Sequence, residues 1–355
     1  MSKFLSSRFS SLTPYTPGEQ PTDMKYVKLN TNESPFEPSP KVIEAVNSDE
    51  VKKLNLYPDP TGKALIKKLA ETYSVEEENV FISNGSDDIL NFSFMAFCDK
   101  DKGAFFPEIS YGFYEVYTEL YGVNYKKVPL MEDFSVNPAD YYGAETTVVI
   151  ANPNAPTGLT LSPAEVEEIL KSNPDDVVII DEAYVDFGAE SCVSLTKKYH
   201  NLIVVMTYSK SRSLAGGRLG FAIAHKDLIQ DLNTIKYSTN PYNINRLTMA
   251  AGIASLEDEA YYKACNKNTA EVREYTKAEL KRRGFSMTDS KANFIFAKSD
   301  KIGGEEYYLA LKSKGVLVRH FKNEKIKDFV RITIGTKEQM DILLKVTDEI
   351  LSGVK

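Results

Sequence analysis

The sequence contains no tryptophan, and only three cysteines and three histidines among 355 residues. Cys98, Cys192 and Cys265 lie far apart, make no CxxC pair and match no metal-ligand spacing. An odd number of scattered cysteines argues against a disulfide framework. A reducing cytoplasm is the expected setting, and no metal is expected. His200, His225 and His320 do not cluster along the chain, and none is assigned to chemistry. No run approaches ~20 apolar residues, the length of a membrane-spanning helix. The opening MSKFLSSRFSSLTPY lacks the continuous apolar core of a signal peptide. Positive charge is not in excess either. The formal net charge of -7 gives no electrostatic reason to expect nucleic acid or an acidic membrane as partner. The cluster Lys281, Arg282, Arg283 reads as the solvated end of a helix. No GxGxxG follows an early strand, so the Gly216-Gly217 pair is no dinucleotide fingerprint. No internal repeat or low-complexity segment is visible.

What is present is an alternation. Hydrophobic residues make up 42% and charged residues 26%, as in ordinary globular proteins. The length suits a large domain plus a smaller one. Between residues 80 and 224 the apolar runs VFIS, GAFF, TTVVIAN, DVVIID, NLIVVM and LGFAIAH read as strands. Several are apolar throughout, as strands covered on both faces are. Helical patterns separate them. SPAEVEEILKS carries a capping box, Ser162 with Glu165, and Pro163 at the first helical position. Strands alternating with helices imply an α/β layer with a mostly parallel sheet. The C-terminal part reads as a small α+β unit. It has a long helix over about residues 258–283, the strands NFIFA, VLVRHF and FVRITIG, and a last helix from Lys337. The proline-rich first 40 residues or so read as loop. The expected domains are residues 1–45, an N-terminal arm and part of the small domain, residues 46–240, the large domain, and residues 241–355, the small one.

Open parallel sheets bind ligands beyond the carboxyl ends of their strands. One such rim collects Gly85, Ser86 and Asp87 after VFIS, Asn154 after VVIAN, Asp181 and Tyr184 at the end of VVIID, and Ser209 and Lys210 after VVM. Arg218 follows the glycine pair. These are the parts that pyridoxal phosphate needs. Its aldehyde takes a lysine amine, and its ring nitrogen takes a carboxylate. Its phosphate takes N–H groups at a helix start, hydroxyls and a guanidinium. Its ring takes an aromatic face. Plainer uses exist for each residue: Asp181 as a helix cap, Gly85 and Ser86 as a turn, Tyr111 as core, Tyr57 as a packed turn before Pro58, Arg331 as an ion-pair partner. Tyr114 and Tyr117 fall on a helical spacing and read as packing. Glu182 is next to Asp181 on a strand and points to the opposite face.

The motifs LTPYTPG, LNTNESP, YPDP, SNGSDD, SYGFY, NPNAPTG, DEAYVDF, SKSRSLAGGRLGF, ANF and VRITIGT occur in this order over nearly the whole chain. Together they resemble the fold-type I pyridoxal-phosphate aminotransferases, and among them the histidinol-phosphate aminotransferases. The resemblance implies a seven-stranded, mostly parallel sheet between helices. It implies that Lys210 binds the cofactor's aldehyde and shuttles a proton, that Asp181 faces the pyridine nitrogen, and that Tyr184 donates to the phenolate oxygen. Tyr111 is then the stacking ring. Ser86, Asp87, Ser209 and Arg218 hold the phosphate, Gly85 opening that turn. Tyr57 reaches the cofactor of the neighbouring subunit, making a homodimer the active unit. Many relatives carry Asn directly before the PTG turn, where Ala155 stands here. Either Asn154 supplies that bond or Tyr184 bears it alone.

The same resemblance implies transfer of an amino group between histidinol phosphate and 2-oxoglutarate. Arg331 is the expected clamp on an α-carboxylate, and Arg319 meets the second anion. Tyr15 and Tyr242 are further candidates for the pocket. Aromatic amino-acid aminotransferases share every cofactor motif. Threonine-phosphate decarboxylases resemble the same group, and a noncatalytic binding protein of this fold would have no use for Lys210.

Overall fold

The computed structural model describes residues 5, 6, 9 and 12–353, so the head of the expected N-terminal arm lies outside the described residues. The arm is not only loop. It forms a short strand, β1 (Val27–Lys28), and a helix, α1 (Pro40–Val46), which Ser39 caps and Pro40 opens. Helix α2 (Lys63–Tyr73) leads into the large sheet. Its strands are β2 (Val80–Ser83), β3 (Ala104–Pro107), β4 (Tyr125–Val128), β5 (Thr147–Ala151), β6 (Val178–Asp181), β7 (Leu202–Thr207) and β8 (Gly220–Ala224). Helices α3 (Ser86–Phe97), α4 (Phe113–Tyr121), α5 (Pro163–Ser172) and α6 (Lys226–Thr239) connect or flank them. The order is β2-β8-β7-β6-β5-β3-β4, seven strands, with β8 antiparallel to both of its neighbours and the rest parallel.

Six of these strands coincide with the apolar runs of the sequence. Alternate residues explain why those runs are continuous. Ile150, Ile180, Val204 and Ile223 enter the core on one face, while Val149, Ile179, Val205 and Ala222 enter the core on the other. Strand β4 escaped the sequence reading because it is an edge strand whose Tyr125, Lys126 and Lys127 are exposed. His200 and His225 correct another expectation. The antiparallel pairing of β7 with β8 brings the residues flanking their ends together, and the two rings stack with centroids 3.9 Å apart.

The remaining chain forms α7 (Arg246–Glu257), α8 (Glu259–Arg282), β9 (Phe285–Met287), β10 (Phe294–Ser299), α9 (Gly304–Ser313), β11 (Val316–Leu317), β12 (Arg319–His320), β13 (Phe329–Thr333) and α10 (Lys337–Gly353). A four-stranded antiparallel sheet, β12-β13-β10-β9, packs with α8, α9 and α10 as a second core. Strand β1 pairs with β11, and Leu29 is buried in that core. Val42 of α1 and Ala251, Ala254 and Leu256 of α7 are buried with the large sheet, because these two helices pack on each other and α7 packs on α2. The core beside the large sheet therefore includes residues of α1 and of α7. No described helix is long and apolar enough to cross a membrane.

Ile180, fully buried in β6, tests how tightly the sheet is packed. Ile180→Ala is expected to destabilise the large domain by roughly 2–5 kcal/mol, read as a lower urea midpoint with the small-domain helices retained.

Candidate active site

The site begins with a carboxylate in an unfavourable place. Asp181 ends β6 and is 5% exposed. Burial pushes its pKa up to about 6, and two donors oppose the shift. The Tyr114 hydroxyl donates to its Oδ2 at 2.9 Å, and the Ala183 N–H donates to its Oδ1 at 3.2 Å. Tyr114 is thus more than the packing residue that its spacing suggested. Glu182, as alternation requires, turns the other way and accepts from Cys192 N at 2.6 Å and from Ser191.

Lys210 follows β7 and shares a cavity of about 200 Å³ with Asp181. Its Nζ lies 5.8 Å from the centre of the Tyr184 ring and donates weakly, at 3.4 Å, to Thr31 O. Tyr184 accepts a hydrogen bond from Asn32 Nδ2 at 3.0 Å, which leaves its own hydroxyl hydrogen available to a ligand. Tyr111 lines the same cavity and donates to Asp87 Oδ1 at 2.7 Å. Burial raises the Tyr111 phenol far above its ordinary range, so it stays a donor.

The far end of the cavity is an anion cradle. Helix α3 starts at Ser86, and no side chain caps its first N–H groups. The helix dipole adds partial positive charge there. Gly85 has φ +90°, and a Cβ on it would meet Arg218 Nη2 at 2.7 Å. Gly220 is equally tight: a Cβ there would meet Ser86 N at 2.5 Å. Arg218 precedes β8, the reversed strand, whose start lies at the rim where its neighbours end. Its Nη2 pairs with Asp87 at 3.1 Å, and its Nη1 approaches Ser209 Oγ at 3.4 Å. Arg218 itself holds φ +51°, uncommon for a residue with a side chain. Free N–H groups, a hydroxyl and a guanidinium around a floor too tight for a methyl group suit a phosphate. Together with the amine and carboxylate, the donor set fits pyridoxal phosphate.

A second cavity of about 310 Å³ adjoins the first, sharing Lys210, Tyr184 and Tyr111. Tyr15, Arg319 and Arg331 line it. Tyr15 stacks on Phe113 at 4.3 Å, and burial raises its phenol. Arg319 and Arg331 are direct cross-strand partners on β12 and β13. Like charges opposite each other on a sheet repel. Yet among the described residues neither guanidinium has a carboxylate within ion-pair distance. Arg319 donates to the carbonyls of Thr16 and Pro17, both at 3.3 Å, and Arg331 to Asn30 O at 3.1 Å. The buried Nε of Arg331 has no partner, and burial lowers its pKa.

Asn154, Tyr57 and Tyr242 lie outside the linings of these two cavities. Asn154 is buried, its Nδ2 donating to Ile109 O at 2.9 Å and Thr157 Oγ1 at 3.2 Å, so its amide builds the turn and does not face the cavity. Tyr57 and Tyr242 line neither cavity of their own chain. They stack on each other, centroids 4.7 Å apart, with Tyr57 79% exposed. Missed by sequence reasoning were Gln20 and Glu33, which line the first cavity, and Asn30, Asn32 and Phe321, which line the second. The one signal for Asn32 is its residue type: it holds φ +55°, which Asn tolerates better than most.

The arrangement matches known proteins. Residues 24–346 match the model of the family described as aminotransferase class I and II. The chain belongs to that family. It is 52% identical to the histidinol-phosphate aminotransferase of Brachyspira hyodysenteriae, over 97% of this chain and 98% of the relative. It is 47% identical to that of Clostridium beijerinckii, over 99% of both. The solved histidinol-phosphate aminotransferase of Sinorhizobium meliloti, in complex with pyridoxal-5'-phosphate, shares the fold. Its TM-score is 0.90 at 21% identity, covering 100% of this chain and 99% of that one.

The buried carboxylate of this aminotransferase makes a prediction for the cofactor-free chain. The Asp181 pKa is raised from 3.8 to about 6, so its contribution to stability is full below about pH 4 and is lost as pH rises through about 6. Asp181→Asn removes that loss. Between pH 4 and 7 the melting temperature of the variant is expected to fall less, or rise more, than that of the unmodified chain. Parallel curves would show that Asp181 is not held in this way.

Proposed function

We propose that this aminotransferase moves an amino group between L-histidinol phosphate and 2-oxoglutarate, giving imidazole-acetol phosphate and L-glutamate. The observation that carries the substrate reading is the pair Arg319 and Arg331, two guanidiniums lining one cavity with no carboxylate among the described residues to neutralise them. A substrate with two anionic positions, or a phosphate carrying two charges, relieves their repulsion. The names of the relatives at 52% and 47% identity point to the same substrate.

The cofactor is pyridoxal phosphate. When bound it supplies an aldehyde that takes up an amino group and a ring that accepts electrons. Lys210 Nζ would hold that aldehyde and would take the proton from the substrate's α-carbon. Asp181 holds the proton on the ring nitrogen, and a cation beside it favours its ionised form. Tyr184 alone donates to the phenolate oxygen, since the Asn154 amide is engaged in its turn. Tyr111 covers the ring. The N–H groups of Ser86 and Asp87, the Ser209 hydroxyl and Arg218 hold the phosphate. Arg331, with Arg319 and Tyr15, orients the substrate.

The active unit is read as a homodimer in which Tyr57 reaches the partner's phosphate cradle. Its support is an exposed tyrosine that lines neither cavity of its own chain and shares a groove with Leu54, Leu56 and Pro58. The cytoplasmic placement is supported by three buried, unpaired thiols.

Borohydride treatment of the holoenzyme followed by peptide mapping is expected to label Lys210 alone. A label on another lysine would remove the anchor assignment. Rates for histidinol phosphate, phenylalanine and tyrosine, compared side by side, are expected to favour histidinol phosphate in kcat/KM. Arg319→Met is expected to lower that value about tenfold or more while leaving cofactor affinity within about twofold. A preference for phenylalanine or tyrosine would overturn the substrate assignment. Carbon dioxide release without 2-oxoglutarate would place the enzyme among decarboxylases. Tyr57→Phe is expected to weaken cofactor retention several-fold in a chain that still sediments as a dimer.

A further inference from the structure

Helix α8 carries an arginine that none of these roles uses. Arg273 is 4% exposed and lies between the two domains. Both hydrogens of one nitrogen, Nη1, are directed at backbone carbonyls: Phe187 O at 2.9 Å and Ala292 O at 2.8 Å. Its Nε donates to Glu274 at 3.0 Å, so the cation is compensated at its outer end. The Phe187 carbonyl closes the turn that starts at Tyr184, in the large domain. The Ala292 carbonyl stands two residues before β10, in the small domain.

Phe294, two residues after the Ala292 anchor, opens β10. It meets the Tyr184 ring edge-on at 5.1 Å, and the Arg331 guanidinium lies 5.4 Å from its centre. Ala155, Ala292, Phe294 and Tyr184 pack as one apolar cluster. The Phe294 ring therefore sets the spacing between Tyr184, on one domain, and Arg331, on the other. A planar guanidinium suits the anchoring task because its donors diverge at fixed angles.

We propose that Arg273 is a positioning residue for the substrate clamp. By tying the Phe187 and Ala292 carbonyls to one nitrogen, it holds Phe294 as the gauge between Tyr184 and Arg331. This rests on the roles of Tyr184 and Arg331 given above. Misplacement of about 1 Å between such groups is enough to cost about a hundredfold in rate.

The test compares holoenzymes carrying Arg273→Met, Arg273→Lys, Phe294→Leu and Arg331→Met. Arg273→Met is expected to raise KM for both glutamate and histidinol phosphate about tenfold, with kcat reduced less than about threefold. Cofactor dissociation, followed by absorbance titration, is expected to stay within about twofold. Arg273→Lys is expected to recover part of the loss, since an ammonium still donates to carbonyls. Phe294→Leu removes the gauge without touching Arg273, and its KM rise supports the proposal even if Arg273→Met does not fold. Unchanged KM in the folded Arg273 and Phe294 variants, beside a raised KM in Arg331→Met, overturns this inference alone. Unchanged KM in Arg331→Met overturns the clamp reading and this inference with it. Cofactor affinity and KM worsening by the same factor in Arg273→Met would show a general structural role and overturn the proposal.

Discussion

The Asp181 carboxylate, buried at the end of a strand covered on both faces, is the constraint around which the site is arranged. An ionised group there is disfavoured unless something compensates it. The protein supplies part of the compensation through the Tyr114 hydroxyl and the Ala183 N–H. The rest is left for a cation. The same incompleteness recurs with opposite sign at the half-buried Arg331, whose Nε is buried without a partner among the described residues, and at the uncapped start of α3. A ligand that is cationic at its ring nitrogen and anionic at its phosphate, reacting with a substrate that is itself anionic, completes all three.

Topology decides how these charges meet. Parallel strands deliver their carboxyl ends to one rim, so Asp181, Tyr184 and Lys210 converge although they come from two strands and the loops behind them. Strand β8 is the exception that the site needs. Because it is reversed, the residue before it, Arg218, also lies at that rim. The small domain adds the arginines of β12 and β13, brought face to face by antiparallel register. The domains are tied at their seam by Arg273 and spaced by Phe294.

Much of this was legible in the sequence, for physical reasons. Strands covered on both faces read as unbroken apolar runs, and six of the seven in the large sheet were found that way. Strand β4 was invisible because an edge strand exposes its lysines and carries no such signal. Strand β1 was missed because two residues paired to a distant segment leave no local pattern. The cofactor-facing residues stood out because each sits in a short motif at a strand end. Asn154 was the amide that the sequence offered for the cofactor's phenolate oxygen, and Asn32 was passed over. Only the three-dimensional turn shows that the first is engaged by Ile109 and Thr157, while the second reaches Tyr184. The stacking of His200 on His225 likewise depends on strand pairing and not on sequence distance.

The sequence by itself determined the chemistry available: one amine, one carboxylate, one guanidinium and a helix start at strand ends, with their order along the chain. It did so because hydrophobic periodicity and turn residues act locally. The tertiary structure alone decided which groups face one another, which helices share the core of the large sheet, and which arginine works through backbone carbonyls. Those outcomes depend on contacts between residues tens to hundreds of positions apart, and no local pattern encodes them.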